Sequence, residues 1–293
     1  MKQLLILSGK GGTGKTTIAS AFIRLSMARA YADCDVDAPN LHLVMKHSVQ
    51  PTRTDYYGMP KAVINQERCN QCGLCKLTCR FDAIHARDEY NVDGYACEGC
   101  GVCEKVCRTG AISLVPVVAG VMMLYQNDAV FSTAQLKMGS GTSGMLVTEV
   151  KKQMRSAVND VELSIIDGSP GIGCPVIASI SGVDMVLIVA EPSVSGISDM
   201  KRIVDTAKIF QTIVVVCINK YDTNFQKTDE VEAFCEEKGL LFVGKIPYDS
   251  KAVEAVNQGR SIADIDCLSG RAAKVIFDKT IGYLFNEGCA VSV

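Results

Sequence analysis

A surplus of charge of either sign is missing from this chain: 30 Lys and Arg stand against 32 Asp and Glu, for a formal net charge of −2. An obligate nucleic-acid binder carries a strong basic excess, so that class is set aside. Lys151, Lys152 and Arg155 are expected to form one wetted helix face. Long apolar runs are missing too. The longest stretch, Ile112 to Tyr125, is broken by Ser113, Pro116 and Gly120 and is too short to span a bilayer. No charged segment, apolar run and cleavage site precede the first apolar strand, so a reducing cytoplasmic setting is expected, with no membrane partner. In that setting the 14 cysteines read as metal ligands rather than as a disulfide framework.

Eight of those cysteines form two runs of identical spacing. Cys69, Cys72, Cys75 and Cys79, then Cys97, Cys100, Cys103 and Cys107, each read C-x2-C-x2-C-x3-C. That is the spacing by which bacterial ferredoxins hold a 4Fe–4S cluster, and in two-cluster versions the fourth cysteine of each run serves the other cluster. Cys69, Cys72, Cys75 and Cys107 are therefore expected around one cluster, and Cys97, Cys100, Cys103 and Cys79 around a second. Zinc competes for paired C-x2-C elements but does not require two tandem quartets. The halves repeat beyond the cysteines: Phe81-Asp82-Ala83-Ile84 follows the first run and Thr109-Gly110-Ala111-Ile112 the second. Arg80 and Arg108 stand where a proline often follows the fourth cysteine, adding positive charge that favours a reduced cluster. Cys34, Cys217, Cys235, Cys267 and Cys289 are isolated and expected to be inert thiols.

Upstream lies a phosphate loop. Gly9-Lys10-Gly11-Gly12-Thr13-Gly14-Lys15-Thr16, followed by Thr17, matches G-x-x-x-x-G-K-[ST]. It sits between an apolar strand at 3–7 and a helix marked by Ile18, Ala21, Phe22 and Leu25. Backbone N–H groups of such a loop close on phosphate oxygens, Lys15 reaches the β- and γ-phosphates, and the Thr16 hydroxyl ligates Mg2+. Further apolar strands are expected at 163–166, 185–190, 213–218 and 241–246. Helices are expected at 197–210, 229–238, 251–258 and 272–284. A strand before Asp33 is placed by position, since Ala28 to Ala32 lacks β-branched residues. The alternation predicts an α/β fold with a mostly parallel twisted sheet. The cysteine segment interrupts it, giving a discontinuous core of 1–61 and 116–293 around an inserted small α+β module at 62–115. Asp167 ends an apolar strand as a Walker B carboxylate for Mg2+. Asn219-Lys220-Tyr221-Asp222 matches the guanine-reading N-K-x-D motif, which leaves GTP open beside ATP.

The second lysine of Lys10-Gly11-Gly12-Thr13-Gly14-Lys15-Thr16 resembles the deviant P-loop of the MinD, ParA, Mrp and nitrogenase iron protein superfamily, here with an inserted two-cluster ferredoxin domain. The resemblance implies an ATP hydrolase using ATP, Mg2+ and two [4Fe-4S] clusters. It further implies a nucleotide-sandwich dimer in which Lys10 contacts the phosphates of the other subunit. Asp33-Cys34-Asp35-Val36-Asp37 resembles switch I, with Asp35 matching the residue that orients or activates water; Asp33 is the alternative, and Asp37 is a candidate turn cap. The stretch from Gly168 to Cys174 resembles switch II. In the nitrogenase iron protein a cysteine at the offset of Cys174 ligates a cluster shared between subunits. No second cysteine lies between Cys107 and Cys174, so a packed thiol is expected. Asn219 and the loop at Pro247 resemble that branch's base-reading elements, which favours ATP.

The function implied is a nucleotide-gated homodimer, or heterodimer with a related ATPase, coupling hydrolysis to electron transfer toward a redox partner protein. Because the insert follows switch I, its position is expected to move with that switch. An Mrp-like cluster carrier acting on apo iron–sulfur proteins and a MinD/ParA-like positioning ATPase are the alternatives. Val275, Ile276, Ile281, Leu284 and Phe285 are read as a core helix, with an amphipathic anchor as the other reading.

Overall fold

The computed structural model describes residues 1–285; Cys289 lies outside them. The chain opens with β1 (Lys2–Leu7), whose Leu4 and Ile6 face one side of a sheet while Leu5 and Leu7 face the other. The phosphate loop leads into α1 (Lys15–Ser26), and β2 (Ala30–Asp33) follows. All four residues of β2 are buried although none is β-branched, because the strand is wedged between two neighbours. A short α2 (Leu41–Val44) and then β3 (Thr52–Tyr57) complete the first part of the core.

The cysteine segment then folds as a small two-fold repeat. In order come β4 (Lys61–Ile64), α3 (Leu74–Thr78), β5 (Ile84–Ala86), β6 (Tyr90–Val92), α4 (Val102–Val106) and β7 (Ile112–Val115). β4 pairs antiparallel with β7, and β5 with β6. Gly73 and Gly101, which precede the two helices, share a left-handed φ of 76°, so the duplication extends to backbone angles. The module's own buried cluster holds only Ala62, Ala83, Cys97 and Ile112.

The core resumes with β8 (Val118–Gln126), β9 (Val130–Leu136), α5 (Ser143–Ala157), β10 (Leu163–Asp167) and α6 (Cys174–Ile180). It ends with β11 (Met185–Ala190), α7 (Val194–Ile209), β12 (Ile213–Asn219), α8 (Phe225–Glu237), β13 (Leu241–Ile246), α9 (Ser250–Asn257) and α10 (Leu268–Phe285). The nine-stranded sheet runs β13-β12-β11-β1-β10-β2-β9-β8-β3. Neighbours from β13 to β9 are parallel; β8 is antiparallel to both β9 and β3. One face is covered by α5, α6, α7 and α8, the other by α1 and α10. Such burial on both faces explains the near-continuous apolar strands.

As its breaks imply, the apolar stretch from Ile112 divides at Pro116 into β7 and β8. One expectation needs correcting. Lys151 is not on a wetted face: it is 4% exposed. Its ammonium donates to the carbonyls of Ala178, Ser179 and Ser181 at 3.1, 2.6 and 2.7 Å, capping the end of α6. Burial pushes its pKa down to about 8. In α10, Ile276 and Leu284 are buried in the core while Val275 and Phe285 are exposed. No helix among the described residues is long and apolar enough to cross a membrane.

Candidate functional site

Three strand ends and one loop build the nucleotide-side site. The loop from Gly9 to Gly14 turns from β1 into α1, with Gly12 at φ +81° and Gly14 at φ +92°. A β-carbon at Gly14 would stand 2.3 Å from Asn219 Nδ2, whereas one at Gly11 or Gly12 would meet nothing. Glycine thus permits close approach of β12 on one side and leaves the backbone open on the other. That open side borders a solvent-facing cleft of about 800 Å³ whose walls include Lys10, Lys15, Thr16, Thr17 and Asp35.

Parallel pairing of β1 with β10 and of β10 with β2 brings Asp167 and Asp33 side by side at the strand C-termini. Lys15 Nζ lies 2.5 Å from Asp167 Oδ1, and the Thr16 hydroxyl donates to Asp167 Oδ2 at 2.7 Å. Burial pulls the Lys15 pKa down, but the carboxylates of Asp167, Asp33 and Asp35 outweigh it and hold the ammonium charged. Asp33 is fully buried and accepts from the backbone N–H groups of Asp35, Asn40 and Leu41 at 3.0, 2.9 and 3.0 Å. Burial, then the adjacent Asp167, pushes its carboxyl upward against Lys15 and those donors. Asp33 therefore shapes the loop that carries Asp35. Asp35 itself faces the cleft; burial raises its pKa while Lys15 opposes the rise.

Lys10 is tied within its own chain, 2.6 Å from Glu191 Oε2, and donates to Ser193 Oγ at 3.2 Å. On the base side, Asn219 Nδ2 donates to Thr13 O at 2.6 Å and Lys220 Nζ to Gly12 O at 2.9 Å. Asp222 accepts from the Tyr248 backbone N–H at 2.8 Å, bracing the loop that carries Pro247. The adjoining cleft, about 220 Å³, is walled by Asn219, Lys220, Pro247 and Tyr248, and Asp222 is not on that wall.

The cysteines of the insert sort into two hollows. One is lined by Cys69, Cys72, Cys75 and Cys107. The other is lined by Cys79, Cys97, Cys100 and Cys103. Among the described residues, no three His, Cys, Asp or Glu side chains converge closely enough to hold a single metal ion. Cys34, Cys217, Cys235 and Cys267 are buried, as inert core thiols should be; Cys174 is exposed at the start of α6, which corrects its expected packing. The outward position follows from the Gly-rich turn before it, which leaves the first residue of α6 at the surface.

Sequence reasoning missed Glu191 and Ser193, the partners of Lys10, and the capping role of Lys151. Glu191 had a signal: it directly follows the apolar strand β11, as Asp167 closes β10. Lys151 had none, because its basic neighbours Lys152 and Arg155 are exposed.

Residues 4–262 match the model of the CobQ/CobB/MinD/ParA nucleotide binding domain. An uncharacterised protein of Methanocaldococcus jannaschii is 32% identical over 231 residues, 76% of this chain and 79% of that protein. The iron-sulfur cluster carrier protein of Pyrococcus abyssi is 24% identical over 277 residues, 88% and 77% of the two chains. In fold, the septum site-determining protein MinD of Pyrococcus horikoshii, solved with Mg-ADP, gives a TM-score of 0.58 at 16% identity over 97% of this chain and 99% of that one. Together with a P-loop at the C-terminal edge of a mostly parallel sheet, these likenesses make the chain a member of the CobQ/CobB/MinD/ParA nucleotide-binding family.

Proposed function

We propose that this protein is an ATPase whose nucleotide state gates electron transfer through two 4Fe–4S clusters held by the insert. The observation that carries the reading is the crossed sorting of the cysteines. Each hollow is walled by three thiols of one run and the fourth of the other, as two-cluster ferredoxins require. The donor set fits the group: four thiols around each hollow suit an iron–sulfur cubane. When bound, such clusters supply one-electron chemistry.

On the nucleotide side, the Thr16 hydroxyl and the Asp167 carboxylate, already in contact, are the groups to hold Mg2+, which would offset phosphate charge. The loop amides and Lys15 would grip the phosphates, and the buried, unpartnered Thr13 Oγ1 offers the loop one more polar group. Asp35 on the cleft wall would orient the attacking water. Asn219 and Pro247 line the base side while Asp222 braces Tyr248, which favours adenine over guanine. Lys10 would exchange Glu191 for the phosphates of a second subunit.

Contacts join the two regions. A β-carbon at Gly139 would meet the Tyr95 ring at 3.1 Å, and one at Gly141 would meet Glu98 Oε2 at 3.6 Å. That segment enters α5, where a β-carbon at Gly144 would stand 3.1 Å from Cys174 O. The coupling proposed thus includes switch II and α5 as well as switch I. The test is anaerobic purification with iron and sulfide analysis, then electron paramagnetic resonance with and without ATP. About eight irons per chain and a nucleotide-dependent signal are expected; a zinc-loaded, spectroscopically silent protein overturns the reading. A second reading, cluster delivery, is favoured by the relatives named iron-sulfur cluster carrier proteins; loss of iron to an apo-acceptor would promote it.

A further inference from the structure

The internal repeat allows the two halves to be compared position by position, and they differ where it matters for a bound cluster. Aligned on their cysteines, Lys76 corresponds to Glu104, Asn70 to Glu98 and Thr109 to Phe81. Around the first hollow, Arg68 donates through Nη2 to Thr109 O at 3.2 Å, which puts a guanidinium against its wall. Cys107 Sγ accepts from the Ala111 backbone N–H at 3.2 Å, and Thr109 Oγ1 lies 3.6 Å from the same sulfur. Around the second hollow, Glu98 is itself part of the wall, and Phe81 occupies the place of the hydroxyl. Cys97 is buried in the second half, while its counterpart Cys69 is partly exposed.

We infer that the two clusters are not equivalent: the one held by Cys69, Cys72, Cys75 and Cys107 has the higher reduction potential, and the one held by Cys79, Cys97, Cys100 and Cys103 the lower. This rests on the iron–sulfur reading of the insert. Adding an electron makes a cluster more negative. Nearby positive charge, hydrogen bonds to its sulfurs and solvent access stabilise the reduced form, and nearby negative charge opposes it. The hydrogen bonds to sulfur, the Arg68 and Glu98 charges and the burial of Cys97 point the same way, while the Lys61 ammonium, which donates to Cys97 O at the second hollow, opposes them. Arg68, the Ala111 N–H and the Thr109 hydroxyl favour reduction at the first hollow; Glu98 and the greater burial of Cys97 disfavour it at the second. Glu98 also lies beside Gly141, on the segment entering α5, so the weaker acceptor is the one whose wall touches the ATPase core. A single electron given to the insert therefore rests at the first hollow, with the second left oxidised.

The test is a redox titration of the anaerobically reconstituted full chain, followed by electron paramagnetic resonance with chemical mediators. Two resolved one-electron steps are expected. Glu98→Gln should raise only the lower step, by about tenfold in the one-electron equilibrium, ~59 mV. Arg68→Gln should lower only the upper step by a similar amount, and Thr109→Val should lower it by less. Two clusters titrating at one potential, or Glu98→Gln moving the upper step, would overturn the inference while leaving the cluster reading intact. A chain that takes up no 4Fe–4S chromophore would overturn both.

Discussion

The nucleotide-side site and the cysteine module are organised in opposite ways. In the core, a two-faced sheet folds the chain, and the working groups ride on strand ends that the sheet already fixes. Asp33 and Asp167 are fully buried and fully engaged before any ligand is considered. In the insert, four small or medium side chains make up the buried cluster, and the cysteines stand on short loops around hollows. A sheet can position chemistry by itself. On the proposed reading, a module this thin would gain stability from the clusters its cysteines hold.

Changes that separate the two regions sharpen this contrast. The largest effect is expected from Lys15→Ala, which removes the phosphate-side cation and strands the buried Asp167. ATP hydrolysis should fall by about 10²-fold or more, while iron and sulfide content stay unchanged in the same preparation. Parallel loss of iron would break the contrast. Stripping iron with a chelator should do the converse: limited proteolysis should cut within 62–115 while the core keeps its main thermal transition.

A smaller effect is expected within the core from Lys151→Met, which leaves three carbonyls at the end of α6 without a donor. Urea unfolding should register a loss of about 2–3 kcal/mol, with the insert's spectrum unaltered. The pH dependence adds a sign. Because burial lowers Lys151 to about 8, the folded protein sheds this proton before the unfolded chain does. Stability from this residue should then rise with pH from about 8 toward the usual lysine range, and Lys151→Met should flatten that slope. The smallest effect is expected from Asp222→Ala. Losing the brace on Tyr248 should weaken ATP binding by roughly fivefold, about 1 kcal/mol, without turning preference toward GTP. A switch in base preference would return Asp222 to the role of base reader.

The sequence made the regular parts of the core readable. The apolar runs of β1, β10, β11, β12 and β13 announce buried parallel strands, and the phosphate loop announces its own position between strand and helix. Antiparallel β3 escaped notice because only its Tyr56 is buried, so neither periodicity nor hydrophobicity marks it, while β8 lay within the apolar stretch from Ile112 without being set apart as a strand. β2 was legible only by position, since burial between neighbours replaces β propensity there. At the candidate site, Lys15 and Thr16 were legible because their motif is local, Asp167 because it ends an apolar strand, and their meeting follows from strand order. The tie of Lys10 to Glu191 was not, because it joins residues 10 and 191, brought together only by β1 lying beside β11. The resemblance put Asp35 ahead of Asp33, but the backbone donors that tie Asp33 into its own loop, two residues away, had no sequence signal.

The way the module joins the core has a consequence for the sheet. Tyr57 of β3 pairs with Val118 of β8 after a register shift at Tyr56, and beyond them β4 pairs with β7, so the chain leaves and re-enters the sheet at neighbouring points. The cysteine segment therefore stands where the tip of a β3–β8 hairpin would be. A tight turn joining the same two strands would leave the strand order of the nine-stranded sheet unchanged.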